Sequence, residues 1–135
     1  MRVAAIFNDI GFPDSRPVLA APIRGLRLAR LRRDGDVYLL ARSVARLRGV
    51  TLRQMLASGR GNAPAARARQ LAMYLAHVLL GRPQDAVGRL FGRHASTVSY
   101  ACRVMEDLRD NPPLEMEIAL IERALAASLE TRNGV

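Results

Sequence analysis

The sequence contains no lysine and no tryptophan, and only one cysteine among its 135 residues. A single cysteine excludes an internal disulfide framework and a cysteine-based zinc finger. His77 and His94 have no Cys, Asp or Glu at metal-ligand spacing, so neither a metal nor any other cofactor is expected. Aromatic residues make up 4 % of the chain, fewer than a large β-sandwich uses. The longest uncharged stretch in a helical pattern, Leu71 to Gly81, is far too short to span a membrane. Met1 to Phe12 lacks the sustained apolar core of a secretory leader. The expected location is therefore a reducing cytoplasm. No Ser-His-Asp set or paired-carboxylate arrangement suggests catalysis, so no enzyme is expected.

What is present is arginine. All 21 basic residues are arginines, against 12 acids, and the formal charge is +9. The first 109 residues carry +12 and the last 26 carry −3. Arginine is the better bidentate binder of phosphates and base edges. An anionic partner is expected, with nucleic acid first and an acidic membrane surface second. The blander account is an arginine-rich proteome with generally basic surfaces.

Residues 1–22 show no period and carry prolines at 13, 17 and 22, which reads as a flexible arm. Residues 23–33 hold Arg24, Arg27, Arg30, Arg32 and Arg33, interleaved with leucines rather than segregated from them. Such a segment gives little support to a helix lying on a membrane and reads as a solvated leader. Asp34-Gly35-Asp36 is a turn that starts a helix, with Val37, Leu40, Ala41, Val44 and Leu47 at helical spacing. Thr51 and Gln54 form a capping box for a short helix over Leu52–Ala57, with Val50 and Met55 placed as a hydrophobic staple. Ser58 to Pro64 is a loop by composition.

Ala65 to Leu80 is the strongest helical pattern. Leu71, Leu75, Val78 and Leu79 form its expected buried stripe, while Arg67, Gln70, Tyr74 and His77 line another face. Tyr74 is expected to be half-buried rather than a base-stacking platform. A short helix over Gln84–Phe91 and a longer one from Ala95 or Ser96 to Arg109 follow. Cys102 falls on the inward stripe of the latter and reads as a packing residue. Asn111-Pro112-Pro113 breaks the chain, and Leu114 to Leu129 forms a last amphipathic helix. Its Glu115, Glu117 and Glu122 read as a solvated face rather than an acid pair. The expected fold is all-α: a flexible basic arm over 1–35, a small helical bundle containing a helix-turn-helix over 36–110, and an extra C-terminal helix over 111–135.

Residues 84–103 carry the functional signal. Gly88 is small where two helices approach, and Gly92 permits the tight turn between them. The second helix then begins with Arg93-His94-Ala95-Ser96-Thr97. These are side chains that reach bases and phosphates when a helix N-terminus enters the major groove. Two short helices joined by a glycine turn also occur in bundles that bind nothing.

A longer string narrows the choice. Arg67-Ala68-Arg69-Gln70-Leu71-Ala72-Met73-Tyr74-Leu75 precedes Val87-Gly88-Arg89-Leu90-Phe91-Gly92-Arg93, and Ser96-Thr97-Val98-Ser99-Tyr100-Ala101-Cys102-Arg103 follows. These ordered blocks resemble the C-terminal DNA-binding domain of the bacterial replication initiator DnaA. Members of that family read approximately RxRQxAMYL and then IGxxFGxRDHSTVxxAC. The resemblance spans about residues 36–109. It implies a small helical bundle with a helix-turn-helix that binds the short duplex element called the DnaA box.

The resemblance also implies roles. Arg60, in the loop before the RxRQ helix, would enter the minor groove. Arg67, Arg69 and Gln70 would clamp phosphates, and His77 stands where the family often has a lysine. Thr97 would contact phosphate and Ser96 a base or methyl edge. The family's Asp-His pair reads base edges; here His94-Ala95 replaces it, with Arg93 before it and one residue fewer between Phe91 and Ser96. Each lost base contact costs about 1–3 kcal/mol of discrimination. Losing two lowers specificity by about 10²-fold or more. Duplex binding is therefore expected to survive better than box specificity.

The sequence has no phosphate loop of the form GxxxxGKS or GxxxxGKT and no room for an ATPase module. The expectation is a free-standing, nucleoid-associated DNA-binding domain that modulates replication initiation or transcription. The alternative is a protein-interaction module that binds initiation regulators or DnaA itself. Attachment to a membrane through residues 23–33 is the weakest expectation.

Overall fold

The computed structural model describes residues 25–57 and 62–132. Residues 25–31 are helical (α1), and six further helices follow: α2 (Gly35–Arg48), α3 (Leu52–Leu56), α4 (Ala63–Val78), α5 (Gln84–Phe91), α6 (Ala95–Leu108) and α7 (Pro112–Arg132). Among the described residues there is no strand, as expected of an all-α chain. The caps follow from local chemistry. The Asp34 carboxylate accepts from Val37 N at 3.2 Å, and Thr51 and Gln54 exchange bonds across the start of α3 at 2.9 and 3.0 Å. Each cap satisfies amide groups that the first helical turn leaves open.

Two helix starts move from their expected places. α4 begins at Ala63 rather than Ala65, because Asn62 caps it through Ala65 N at 2.7 Å and Pro64 sits in the first turn. A proline there forfeits no helical bond. For the same reason Pro112 and Pro113 open α7 instead of lying wholly in a break before it.

α4 is the central helix and packs against α2, α3, α5 and α6, while α7 lies on α2. Six consecutive residues, Leu71 to Ala76, are buried around α4. A helix covered on most sides does not keep a single inward stripe. Tyr74, expected to be half-buried, is wholly inside, and Val78, expected inside, is 45 % exposed. Leu47, expected inward, is likewise exposed, whereas Ala45 enters the core. Full burial of each large apolar side chain contributes roughly 1.5–3 kcal/mol.

The core also begins earlier than residue 36. Leu31 of α1 is fully buried and Leu28 packs against the same cluster. Their spacing of three places both on one helical face. At the other end, Leu114, Ile118, Ile121 and Leu125 bury the inner face of α7, and Leu129 is partly covered. Arg48 of α2 holds α7 through both oxygens of Glu117. The Tyr74 hydroxyl donates to Glu106 at 2.6 Å and accepts from Arg109 at 3.0 Å, and Arg109 also grips Glu115.

Candidate nucleic-acid interface

The turn between α5 and α6 is built by two glycines. Gly92 has φ +68°, the left-handed region, and caps α5. At Gly88 an added Cβ would stand 2.6 Å from the carbonyl oxygen of Arg93, which is backbone and cannot swing aside. The amide of Arg93 donates to the Gly88 carbonyl at 2.8 Å, so the turn closes directly on α5. Val87 and Phe91 of α5 and Val98 and Ala101 of α6 are buried and fix the angle between the two helices.

This turn leaves the start of α6 in solvent. His94, Ser96 and Thr97 are exposed, and Ala95 is partly so. His94 is the N-cap: its Nδ1 accepts from Ser96 N at 3.2 Å and lies 3.0 Å from Ser96 Oγ. An imidazole whose Nδ1 accepts from an amide carries its proton on Nε2. The residue in the position of the family's aspartate therefore caps the helix as an aspartate would, but presents a donor outward where an aspartate presents an acceptor.

Beside the turn lies a cluster that residue spacing does not reveal. Three successive carbonyls at the end of α3 each accept from a different arginine. Met55 O is bonded by Arg69 of α4 at 3.1 Å, Leu56 O by Arg27 of α1 at 2.9 Å, and Ala57 O by Arg93 of the turn at 2.7 Å. These carbonyls lie at a helix C-terminus and have no partner within the helix. The end of a helix carries at most about half a negative charge, against three guanidinium cations. Arg69 is 8 % exposed, and its Nε is buried without a partner. Burial, and then the nearby Arg93 cation, lower its pKa; burial, and then Arg27, lower that of Arg93. The cluster is a concentration of positive charge at the C-terminal end of α3.

The expected site residues fall into four places. Arg93, His94, Ala95, Ser96 and Thr97 are brought together at the turn and the start of α6. Arg67 and Gln70 share the outer face of α4, bonded to each other at 3.2 Å, with Arg67 exposed. Arg69 does not share that face, because its side chain turns inward to Met55 O. His77 sits roughly 12 Å farther along α4 than Arg69, with Nδ1 2.8 Å from Arg82 O. A carbonyl can only accept, so this nitrogen donates and the ring secures the α4–α5 loop. Arg60 lies outside the described residues. Arg27 and Arg30 were not among the expected residues. The sequence signals for them are the run of arginines over residues 23–33 and the spacing of Arg27 and Arg30, three apart beside Leu28 and Leu31 as on one helical face.

Among the described residues no helix is long and apolar enough to cross a membrane, and no group of three His, Cys, Asp or Glu is placed to hold a metal ion. Cys102 is buried, and burial pushes its thiol pKa up. That disfavours the nucleophilic thiolate.

Comparison with known proteins agrees with the geometry. Residues 38–104 match the family described as the bacterial dnaA protein helix-turn-helix. The chain is 37 % identical over 105 residues to the chromosomal replication initiator protein DnaA of Bartonella quintana, covering 73 % of this chain and 21 % of that protein. The DnaA of Sphingopyxis alaskensis is 50 % identical over 62 residues, covering 44 % and 14 %. The DnaA 2 of Chlamydia trachomatis is 36 % identical over 93 residues, covering 67 % and 20 %. The chain thus spans about a fifth or less of the length of these relatives.

Proposed function

Residues 38–104 belong to the bacterial DnaA helix-turn-helix family, and from that premise we propose that the protein binds double-stranded DNA and modulates replication initiation. The observation that carries this reading is the exposed start of α6, delivered by a glycine turn and flanked by arginines. In this reading α6 enters the major groove and Thr97, Arg67 and Gln70 contact phosphates. His94 and Ser96 face the base edges. Arg69 and Arg93 act from behind by holding the end of α3 and adding positive potential.

The chemistry of His94 bears on which sites are bound. With Nδ1 occupied by the cap, Nε2–H donates, and it suits guanine N7 or O6 rather than the amino group of cytosine. Ala95 offers only a methyl contact. Phosphate contacts therefore carry most of the affinity, and selectivity for the DnaA box is weaker than an Asp-His pair would give. Such a protein can occupy initiator sites or bring a partner to them, at origins or at promoters.

Fluorescence anisotropy with a DnaA-box duplex and a scrambled duplex at two salt concentrations tests the reading. The expected result is binding to both, steeply weakened by salt, with a modest preference for the box. Failure to bind either duplex would overturn it in favour of a protein-interaction role.

A further inference from the structure

We propose that Arg30 of α1 holds a DNA phosphate beside the helix-turn-helix turn, so that the duplex face extends beyond the matched segment onto α1. This rests on the duplex-binding reading above. The Arg30 guanidinium lies directly over the turn, with Nη1 2.9 Å from where a Cβ of Gly92 would stand. Glycine at that position is what lets the guanidinium lie there. The side chain is partly exposed. The described ion pairs use Arg48, Arg82, Arg89 and Arg109, and Arg30 is in none of them.

α1 is fixed in this position rather than draped over it. Leu31 is fully buried in the core, and Arg27 is bonded to Leu56 O. Arg30 therefore approaches a duplex from an ordered helix, with its own side chain left to order. When a helix N-terminus enters the major groove, the chain just before it meets the sugar-phosphate backbone. Here that chain is Gly92-Arg93, and Arg30 lies against it. The same region holds Arg27, Arg69 and Arg93, whose like charges repel. A phosphate at Arg30 relieves that repulsion, which favours the bound state over the free one. The partner is the phosphodiester backbone of a duplex, read without regard to sequence.

The test uses the full chain and a DnaA-box duplex across a salt series from about 50 to 200 mM. Wild type is compared with Arg30→Ala, Arg30→Gln, Arg30→Lys and Arg123→Ala. Arg123 is an exposed arginine on α7 and reports the loss of one positive charge far from the turn. Arg30→Ala and Arg30→Gln should each lower the slope of log K against log salt by about 1. Arg30→Lys should keep the wild-type slope, and so should Arg123→Ala. Arg30→Gln retains the aliphatic stem, so it reads the charge even if Arg30→Ala fails to fold. Wild-type binding with slopes unchanged in the neutral Arg30 variants would overturn this proposal alone. Absence of wild-type binding to any duplex would overturn the duplex-binding reading and this proposal with it.

Discussion

Arginines do opposite work on the two sides of this bundle. Around α2 and α7 they meet carboxylates: Arg48 with Glu117, Arg82 with Asp34 and Asp36, and Arg109 with Glu115. Around the end of α3 they meet carbonyls: Arg27, Arg69 and Arg93 bond Leu56, Met55 and Ala57. A carboxylate cancels an arginine's charge, whereas a carbonyl satisfies its hydrogen bonds and leaves the charge in place. The charge of Arg48, Arg82 and Arg109 is therefore compensated within the scaffold, whereas that of Arg27 and Arg69 is left next to the helix-turn-helix. For these arginines the acceptor offered, not the position in the sequence, decides whether the charge is compensated.

The largest way to break the contrast is to move the turn that brings Arg93 to α3. Gly88→Ala forces a Cβ onto the Arg93 carbonyl. It should cost about 1–3 kcal/mol as an overpacked contact, measured by urea denaturation, and it should also weaken duplex binding. Unchanged stability would mean that the turn yields easily.

A matched pair sharpens the comparison next. Arg48→Met leaves the Glu117 carboxylate without its bidentate partner and should cost about 1–3 kcal/mol. Arg69→Met loses one bond to a carbonyl but removes a buried cation, two effects of opposite sign. Its cost should stay under about 1 kcal/mol. Equal losses in the two variants would refute the distinction between carboxylate-paired and carbonyl-bonded arginines.

A smaller effect lies in the acid limb of stability. Asp34 is held below the ordinary carboxylate range, chiefly by its hydrogen bond from Arg82. A carboxyl depressed in the folded state contributes stability above its unfolded pKa of about 3.9 and loses it as pH falls through the folded value. Asp34→Asn keeps the cap but removes the charge. It should lower stability at neutral pH by about 1 kcal/mol and flatten the decline below about pH 4, followed by thermal melts against pH.

The smallest effect separates neighbours on α4. Arg67→Ala should leave folding intact and lower the salt slope of duplex binding by about 1. Arg69→Met should change that slope less, because Arg69 is already engaged inside. Equal slopes in the two variants would place Arg69 on the phosphates despite its burial.

Much of this was legible in residue order. Asp34, Thr51 with Gln54, and Gly92 marked helix ends because caps and turns are local chemistry acting within a few residues. The blocks from Arg67 to Leu75 and from Val87 to Arg103 pointed to the helix-turn-helix. Periodicity misjudged Leu47, Val78 and Tyr74. It assumes one wet face per helix, and α4 is surrounded by four other helices.

The sequence alone determined the helices, their caps, the glycine turn and the surplus of arginine, since each depends on a residue and its near neighbours. Only the tertiary structure decided which arginines keep their charge. Arg69 turning to Met55, Arg27 crossing 29 residues to Leu56 and Arg93 crossing 36 to Ala57 depend on where α1, α3 and the turn meet. That meeting is set by the shared core beneath them, in which Leu31, Met55 and Phe91 are buried together. Such burial is a property of the packed bundle, and no local pattern of residues encodes it.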